Sequence, residues 1–225
     1  MSVVVADLSN LESVATAGAR LGARPIDVLI HNAGLLPSER VETADGLELT
    51  LRTHVAGPFL LTKKLRPALR AADGRARVIR VSSGGMYARR LNLDDPQWRH
   101  RPYDGVVAYA ETKRAQVVLA ELWAELLRVD GVTVKSMHPG WADTPGVASS
   151  IPRFHAITRA FLRTPAQGAD TMVWLAASDA AAHVTGRFLF DRMPRLTHRL
   201  PATRETGAER KALWELCETL VESSL

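Results

Sequence analysis

Apolar and polar positions along the chain alternate between two rhythms. Short, solid apolar runs stand at Val3–Ala6, Val28–His31, Arg77–Val81, Val132–Val134 and Phe188–Phe190. Each is bounded by turn residues and has the length of a buried strand. Longer stretches between them carry apolar residues at helical spacing. Asp7-Leu8-Ser9-Asn10 supplies caps for a helix running to about Leu21. Asp45-Gly46 opens a long pattern through Leu47, Leu51, Val55, Phe59 and Leu65. A third pattern runs from Tyr109 through Val117, Val118, Leu122, Trp123 and Leu126. Thr164-Pro165 starts a fourth as cap and first-turn proline, and a last amphipathic helix follows Thr206. Strands alternating with long helices predict an α/β fold, a Rossmann-like doubly wound parallel sheet with helices on both faces. With no repeat, low-complexity segment or linker, residues 1–225 read as one domain.

Composition narrows the class without deciding it. Apolar residues make up 46% of 225 and charged residues 24%, the balance of an ordinary globular chain with a sizeable core. The net charge of +5 comes mostly from scattered arginine, with clusters at Arg75/Arg77/Arg80, Arg89-Arg90 and Arg99-His100-Arg101. A solvated face is expected there. A basic rim for a dinucleotide phosphate is the alternative, and no recognition motif supports nucleic-acid binding. One cysteine, Cys217, excludes an internal disulfide and fits a reducing compartment; a core position is expected for it. No apolar run reaches the roughly 18 residues of a membrane span. The N-terminus lacks a signal-peptide pattern, so a cytoplasmic location is expected.

In open parallel sheets, ligands sit beyond the carboxyl ends of the strands. Asn32-Ala33-Gly34, Ser82-Ser83 and Pro139-Gly140 all stand just past predicted strand ends. Tyr109 and Lys113 lie four apart on one helix face. Phenol has a pKa of about 10, and a nearby ammonium favours its ionised form, so such a pair suits reversible proton transfer. Alone, the same spacing reads equally as a half-buried Tyr beside a solvated Lys. The histidines and Asp143 show no metal-ligand spacing, and Ser82-Ser83-Gly84-Gly85 is not a hydrolase elbow.

Taken together, Asn32-Ala33-Gly34, Ser82-Ser83-Gly84-Gly85, Tyr109-Ala110-Glu111-Thr112-Lys113 and His138-Pro139-Gly140 resemble the short-chain dehydrogenase/reductase family over nearly the whole chain. The resemblance implies an NAD(P)-dependent oxidoreductase interconverting an alcohol and a carbonyl on a small or lipid-like substrate. It implies Tyr109 as general acid/base, Lys113 lowering its pKa and holding the nicotinamide ribose, and Ser83 polarising the substrate oxygen. Ser82 is the runner-up, since neighbouring serines alternate across a strand end. His54 stands where the family has a helix-kinking asparagine that holds a relay water; it would weaken the relay, titrate near neutrality, or sit satisfied in a helix junction. Asn32, Ala33 and Gly34 resemble the turn that passes the adenosine ribose, Asp7 and Leu8 the pair touching adenine, and Pro139, Gly140 and Thr144 the loop at the carboxamide. Met86, Trp141, Phe154 and Met193 are candidates for an apolar substrate pocket or plain core. The Arg89–Asp104 stretch lines the pocket or forms a surface loop. A homodimer or tetramer is implied through the Asp45–Leu69 and Tyr109–Leu127 helices, though both faces could be buried within one chain.

The sequence departs from the family in one large respect. The Gly-x-x-x-Gly-x-Gly turn that holds the pyrophosphate is absent, with its strand and helix and the next strand, roughly 60 residues or two units of about 30. Family order starts here at the third strand, so NAD cannot be told from NADP. A truncated chain or a non-catalytic scaffold is the alternative reading. In either case Val3–Ala6 should pair directly beside Asp27–Ile30, or another chain should cover that edge.

Overall fold

The computed structural model describes residues 2–143 and 162–222. Thr144 and Phe154 lie outside them. Among the described residues five strands form one sheet in chain order: β1 Val28–His31, β2 Arg77–Val81, β3 Thr133–Met137, β4 Phe188–Phe190 and β5 Met193–Arg195. The first four are parallel and β5 runs antiparallel to β4. Among the described residues the long helices are α1 Leu11–Leu21, α2 Gly57–Arg70, α3 Gly105–Leu126, α4 Pro165–Ala177 and α5 Gly207–Val221. The expected caps Asn10 and Thr164 are in place and Thr206 is a third: each side chain accepts a backbone N–H of the first turn, the last two within capping boxes.

Side-chain alternation along the strands splits the core in two. Val78 and Val134 face a large cluster built from α1, α2, α3 and α5. Ile79, Val81, Met137 and Leu189 face the other way, onto Leu175 of α4. Helices therefore cover both faces, as the sequence predicts. Cys217 is fully buried in the first cluster, and burial pushes its thiol up to about 12. The two long helices are covered within the chain. Phe59 of α2, Trp123 of α3 and Trp214 of α5 meet with ring centroids 4.8–5.1 Å apart.

Four expectations need correction. Val3–Ala6 forms no strand; Val3 and Val5 are 74% and 88% exposed, and β1 pairs only with β2 among the described residues. A four-residue apolar run has no extended structure without a partner ladder. The Asp45–Leu69 pattern is not one helix. Thr43–Leu47 closes a tight turn with Gly46 at φ +75°, and the helix begins at Leu49 under a Glu48 cap whose carboxylate accepts the Thr50 and Leu51 N–H groups. Residues Arg52–Ala56 then form a π-helical turn before α2. Arg80 belongs to no solvated face. It is fully buried beneath Thr62, its Nε and Nη1 have no hydrogen-bond partner among the described residues, and burial lowers its pKa to about 10. Lastly, Arg89–Asp104 packs as a brace rather than as a pocket wall or a surface loop. Trp98 is buried under the Arg101 guanidinium, Arg101 pairs with Glu111 of α3, and the Tyr103 hydroxyl bonds Glu48 and Thr50.

One glycine fixes how α3 enters this arrangement. A Cβ on Gly105, its first residue, would lie 2.0 Å from the Pro37 carbonyl oxygen. Gly105→Ala is expected to lower stability by about 1–3 kcal/mol, the usual range for overpacking, because that contact is backbone and cannot rotate away. Gly207→Ala is the control: its Cβ would meet nothing within 4 Å, and urea unfolding should show little change. Equal effects would show that the Pro37 loop yields freely.

A candidate oxidoreductase site at the strand ends

Three strand ends deliver the site. β1 ends into Asn32-Ala33-Gly34, β2 into Ser82-Ser83 and β3 into His138-Pro139-Gly140. A cleft of about 320 Å³ opens there, at the small end of the range for ligand pockets. Asn32, Gly34, Ser82, Ser83, Tyr109, Lys113, Pro139 and Gly140 all line it, so most of the sequence-predicted residues come together. Leu35, Leu36, Val106, Ala110 and Trp141 add an apolar wall. Trp141 was expected there. Leu35, Leu36 and Val106 were not, since nothing in a loop or a helix's first turn marks which apolar residue faces a cleft.

The two serines have different occupations. Ser82 Oγ–H donates to the Lys113 carbonyl at 2.8 Å and is spent tying β2 to α3. Ser83 is 9% exposed and caps the turn that follows: its Oγ accepts the Gly85 N–H at 3.3 Å, and its own O–H is directed at the Tyr109 phenol oxygen. His138 holds the same loop, its Nδ1 accepting the Gly84 N–H at 3.1 Å while its ring stacks on Phe190. Burial lowers the His138 pKa to about 4, so the ring is neutral.

Tyr109 and Lys113 reach the cleft floor from the first turns of α3, where Asp104 caps the helix by accepting the Val107 N–H. Lys113 Nζ lies 5.3 Å from the Tyr109 ring centroid and donates to the Val81 carbonyl at 2.9 Å. The expectation that Lys113 draws the phenol pKa down is not met in this state. Burial raises the Tyr109 pKa, with Ser83 opposing, and burial alone lowers Lys113 to about 7. With both groups withdrawn from water, the half-neutral amine gives the phenol little charge to lean on.

That cost to the amine has a measurable consequence. The folded-state pKa of about 7 lies below the unfolded value of about 10.4, so between these limits the unfolded chain binds more protons and stability rises with pH. Below pH 7 the full penalty is present. Lys113→Met is expected to stabilise the fold by about 2 kcal/mol near neutrality, with the advantage gone by about pH 10. Lys135, lowered to about 8 by burial and Arg77, is common to both proteins and cancels in the difference. A gain independent of pH would refute the assignment.

The remaining predicted residues lie elsewhere. Asp7 is exposed, accepting from Ser9, and Leu8 packs on the core with its carbonyl against Gly57; neither lines the cleft. Ala33 is on the turn but not in the lining. Met86 is core beside Val117 and Phe188, and Met193 is 57% exposed on β5. None of residues 89–104 lines the cleft. His54 is fully buried behind it, with its ring edge-on to Tyr109 at 5.5 Å. It does not titrate near neutrality, because burial and then Lys113 hold its pKa well below the usual histidine value. Among the described residues no three His, Cys, Asp or Glu side chains converge to hold a metal, and no helix is long and apolar enough to cross a membrane.

Known proteins resemble this chain in sequence and in fold. A family profile described as enoyl-(acyl carrier protein) reductase matches residues 1–190. Human dehydrogenase/reductase SDR family member 12 is 46% identical over 200 residues, which is 88% of this chain but 62% of that protein. An uncharacterized protein from Mycobacterium paratuberculosis superposes with a TM-score of 0.73 at 28% identity, covering 96% of this chain and 74% of that one. A candidate NAD(P)-dependent gluconate 5-dehydrogenase from Beutenbergia cavernae, with NADP bound at low occupancy, superposes at 0.61 with 27% identity, covering 84% and 74%. A mostly parallel sheet, a Ser/Tyr/Lys cleft at its strand ends and sequence matches of this extent agree: the chain belongs to the short-chain dehydrogenase/reductase family.

Proposed function

We propose that the cleft carries out an alcohol–carbonyl interconversion with NAD or NADP, on a small or lipid-like substrate. The observation that carries this reading is the meeting of Ser83, Tyr109 and Lys113 on one cleft floor beside an apolar wall. The residues present suit the nicotinamide end of such a cofactor. Gly34 lets the turn pass close to the site, since a Cβ there would stand 3.2 Å from His54 Nε2 and 3.6 Å from Lys113 Nζ, and Lys113 keeps further N–H donors beyond its bond to Val81. Asn32, Pro139 and Gly140 would complete that wall, and the NADP bound by the Beutenbergia cavernae relative supports the cofactor class.

When bound, the nicotinamide supplies the hydride acceptor or donor. The Ser83 hydroxyl then donates to the substrate oxygen and stabilises the charge that develops on it. The Tyr109 hydroxyl gives its proton to that oxygen in reduction and takes it back in oxidation. Lys113 would hold the cofactor through its remaining N–H donors and, in its charged form, would favour the Tyr109 phenolate. Leu35, Leu36, Val106 and Trp141 hold the apolar part of the substrate and exclude water.

A second reading rests on Asp7 and Leu8 standing outside the cleft, which leaves the adenine end without those contacts. On that reading the chain binds ligand or partner without catalysis. A fluorescence titration with NADH and NADPH decides between them. Saturable binding that is lost in Lys113→Met supports the oxidoreductase. No binding by a chain shown to be folded overturns it in favour of the scaffold.

A further inference from the structure

His54 sits where three elements meet. It belongs to the π-helical turn Arg52–Ala56, behind the turn that follows β1 and against the face of α3 that carries Tyr109, Thr112 and Lys113. Its tautomer follows from its partners. The Leu35 N–H points at Nε2 from 3.0 Å, and an amide can only donate, so Nε2 carries no proton. Thr112 Oγ1 lies 2.8 Å from Nδ1 and 2.9 Å from the Tyr109 carbonyl. The hydroxyl gives its single proton to that carbonyl and accepts from Nδ1–H. A neutral ring with its proton on Nδ1 satisfies every one of these bonds.

Nothing at this position is left to carry a proton onward. Both ring nitrogens are engaged, and the His54 carbonyl accepts from Gln116 Nε2 at 2.8 Å. The ring is shut off from the cleft, and the charged or titratable groups facing it are Lys113 and Tyr109, both on α3. What the ring does instead is mechanical. It joins Leu35, on one wall of the cleft, to the helix that supplies the floor.

We propose that His54 is a positioning residue which, as its Nδ1–H tautomer, clamps the Asn32–Leu36 turn to the catalytic face of α3 and takes no part in proton transfer. The proposal rests on the reading of Tyr109 as the acid–base group. It places the exit of the Tyr109 proton at Lys113 and the cleft mouth, since the path behind the helix is closed by protein hydrogen bonds.

The first test needs no turnover. Long-range nitrogen–proton spectra of the 15N-histidine-labelled chain should show His54 with a pyrrole-type Nδ1 and a pyridine-type Nε2, unchanged from about pH 8 to about pH 5. A proton on Nε2, or an imidazolium forming near neutrality, would overturn the clamp whether or not the chain is an enzyme. The second test is His54→Leu, which keeps the bulk and removes both bonds. Leu35 amide exchange should accelerate about tenfold, the equivalent of about 1.4 kcal/mol. In turnover, KM should rise while the pH profile of kcat stays in place. A displaced pH profile with unchanged Leu35 exchange would assign His54 to the proton path. Should His54→Leu fail to fold, His54→Gln offers a donor and an acceptor, and restored Leu35 protection is expected.

Discussion

Tyr109→Phe is expected to lower kcat/KM for carbonyl reduction by about 10²–10⁴-fold, the span attributed to a positioned general acid. The substitution removes one oxygen and little else. The ring keeps its edge contact with His54 at 5.5 Å and its place 5.3 Å from the Lys113 amine, and α3 keeps its Asp104 cap. Among the described residues Ser83 is the partner of the phenol oxygen, opposing its raised pKa, so the fold should be unmoved. NADPH affinity should also hold, because its contacts are assigned to Lys113 and the Gly34 and Gly140 turns. The informative quantity is the split: kcat falls while the cofactor dissociation constant stays within about threefold, the pattern of an interaction made in the transition state. Ser83→Ala should fall on the same side of that split with a smaller loss, because only an oxyanion contact goes. A Tyr109→Phe protein turning over at near its parent's rate would show that water or Ser83 delivers the proton, and the proposed chemistry would fall.

That prediction uses residues legible without coordinates, and the reason is physical. Strand ends and helix starts are fixed by local signals: apolar runs, a cap such as Asp104 or Asn10, a glycine turn. When several such ends carry chemistry-bearing residues, parallel topology delivers them to one edge. Features that depend on a partner were not legible. Val3–Ala6 has the composition of a strand and, among the described residues, no neighbour to make it one. β5 was invisible for the opposite reason. Met193-Pro194-Arg195 has no strand composition, and its hairpin turn uses Asp191 and Arg192 at φ +53° and +59° where sequence signals call for Asn-Gly. The strain at those residues is held by tertiary contacts: Asp191 takes the Arg163 fork, and the Arg192 N–H donates to Thr171 Oγ1. The π-helical turn was hidden too. It inserts a phase slip into a periodic apolar pattern, and the result still reads as helix on either side. His54, read from the sequence as the fourth catalytic position, lies behind the cleft, and its hydrogen-bonding junction could not be read without the turn that sets it.

The largest expected loss of stability is at Trp123, and it separates volume from polarity. Trp123 is 1% exposed, and its indole meets Phe59 at 5.1 Å and Trp214 at 4.8 Å, joining α2, α3 and α5 in one aromatic cluster. Trp123→Ala is expected to cost about 3–5 kcal/mol in urea unfolding, since the surrounding helices cannot collapse into a void of that size. Trp123→Phe should cost much less than the removed area suggests. The buried indole Nε1–H has no hydrogen-bond partner among the described residues, so the ring exchange deletes an unsatisfied donor along with its packing. The cluster lies at the far side of α3 from Tyr109 in sequence, yet the helix is continuous from Gly105 to Leu126. If α3 moves as a rigid element, Trp123→Ala should shift the midpoint of unfolding while leaving cofactor affinity intact at low denaturant. If α5 is the weakest-held element, the same variant should first expose Cys217, which is buried in this core and reacts with thiol reagents only when α5 opens. Thiol labelling that rises in step with global unfolding would show a single cooperative core; labelling well below the transition would show α5 releasing on its own, ahead of the helix that carries the site.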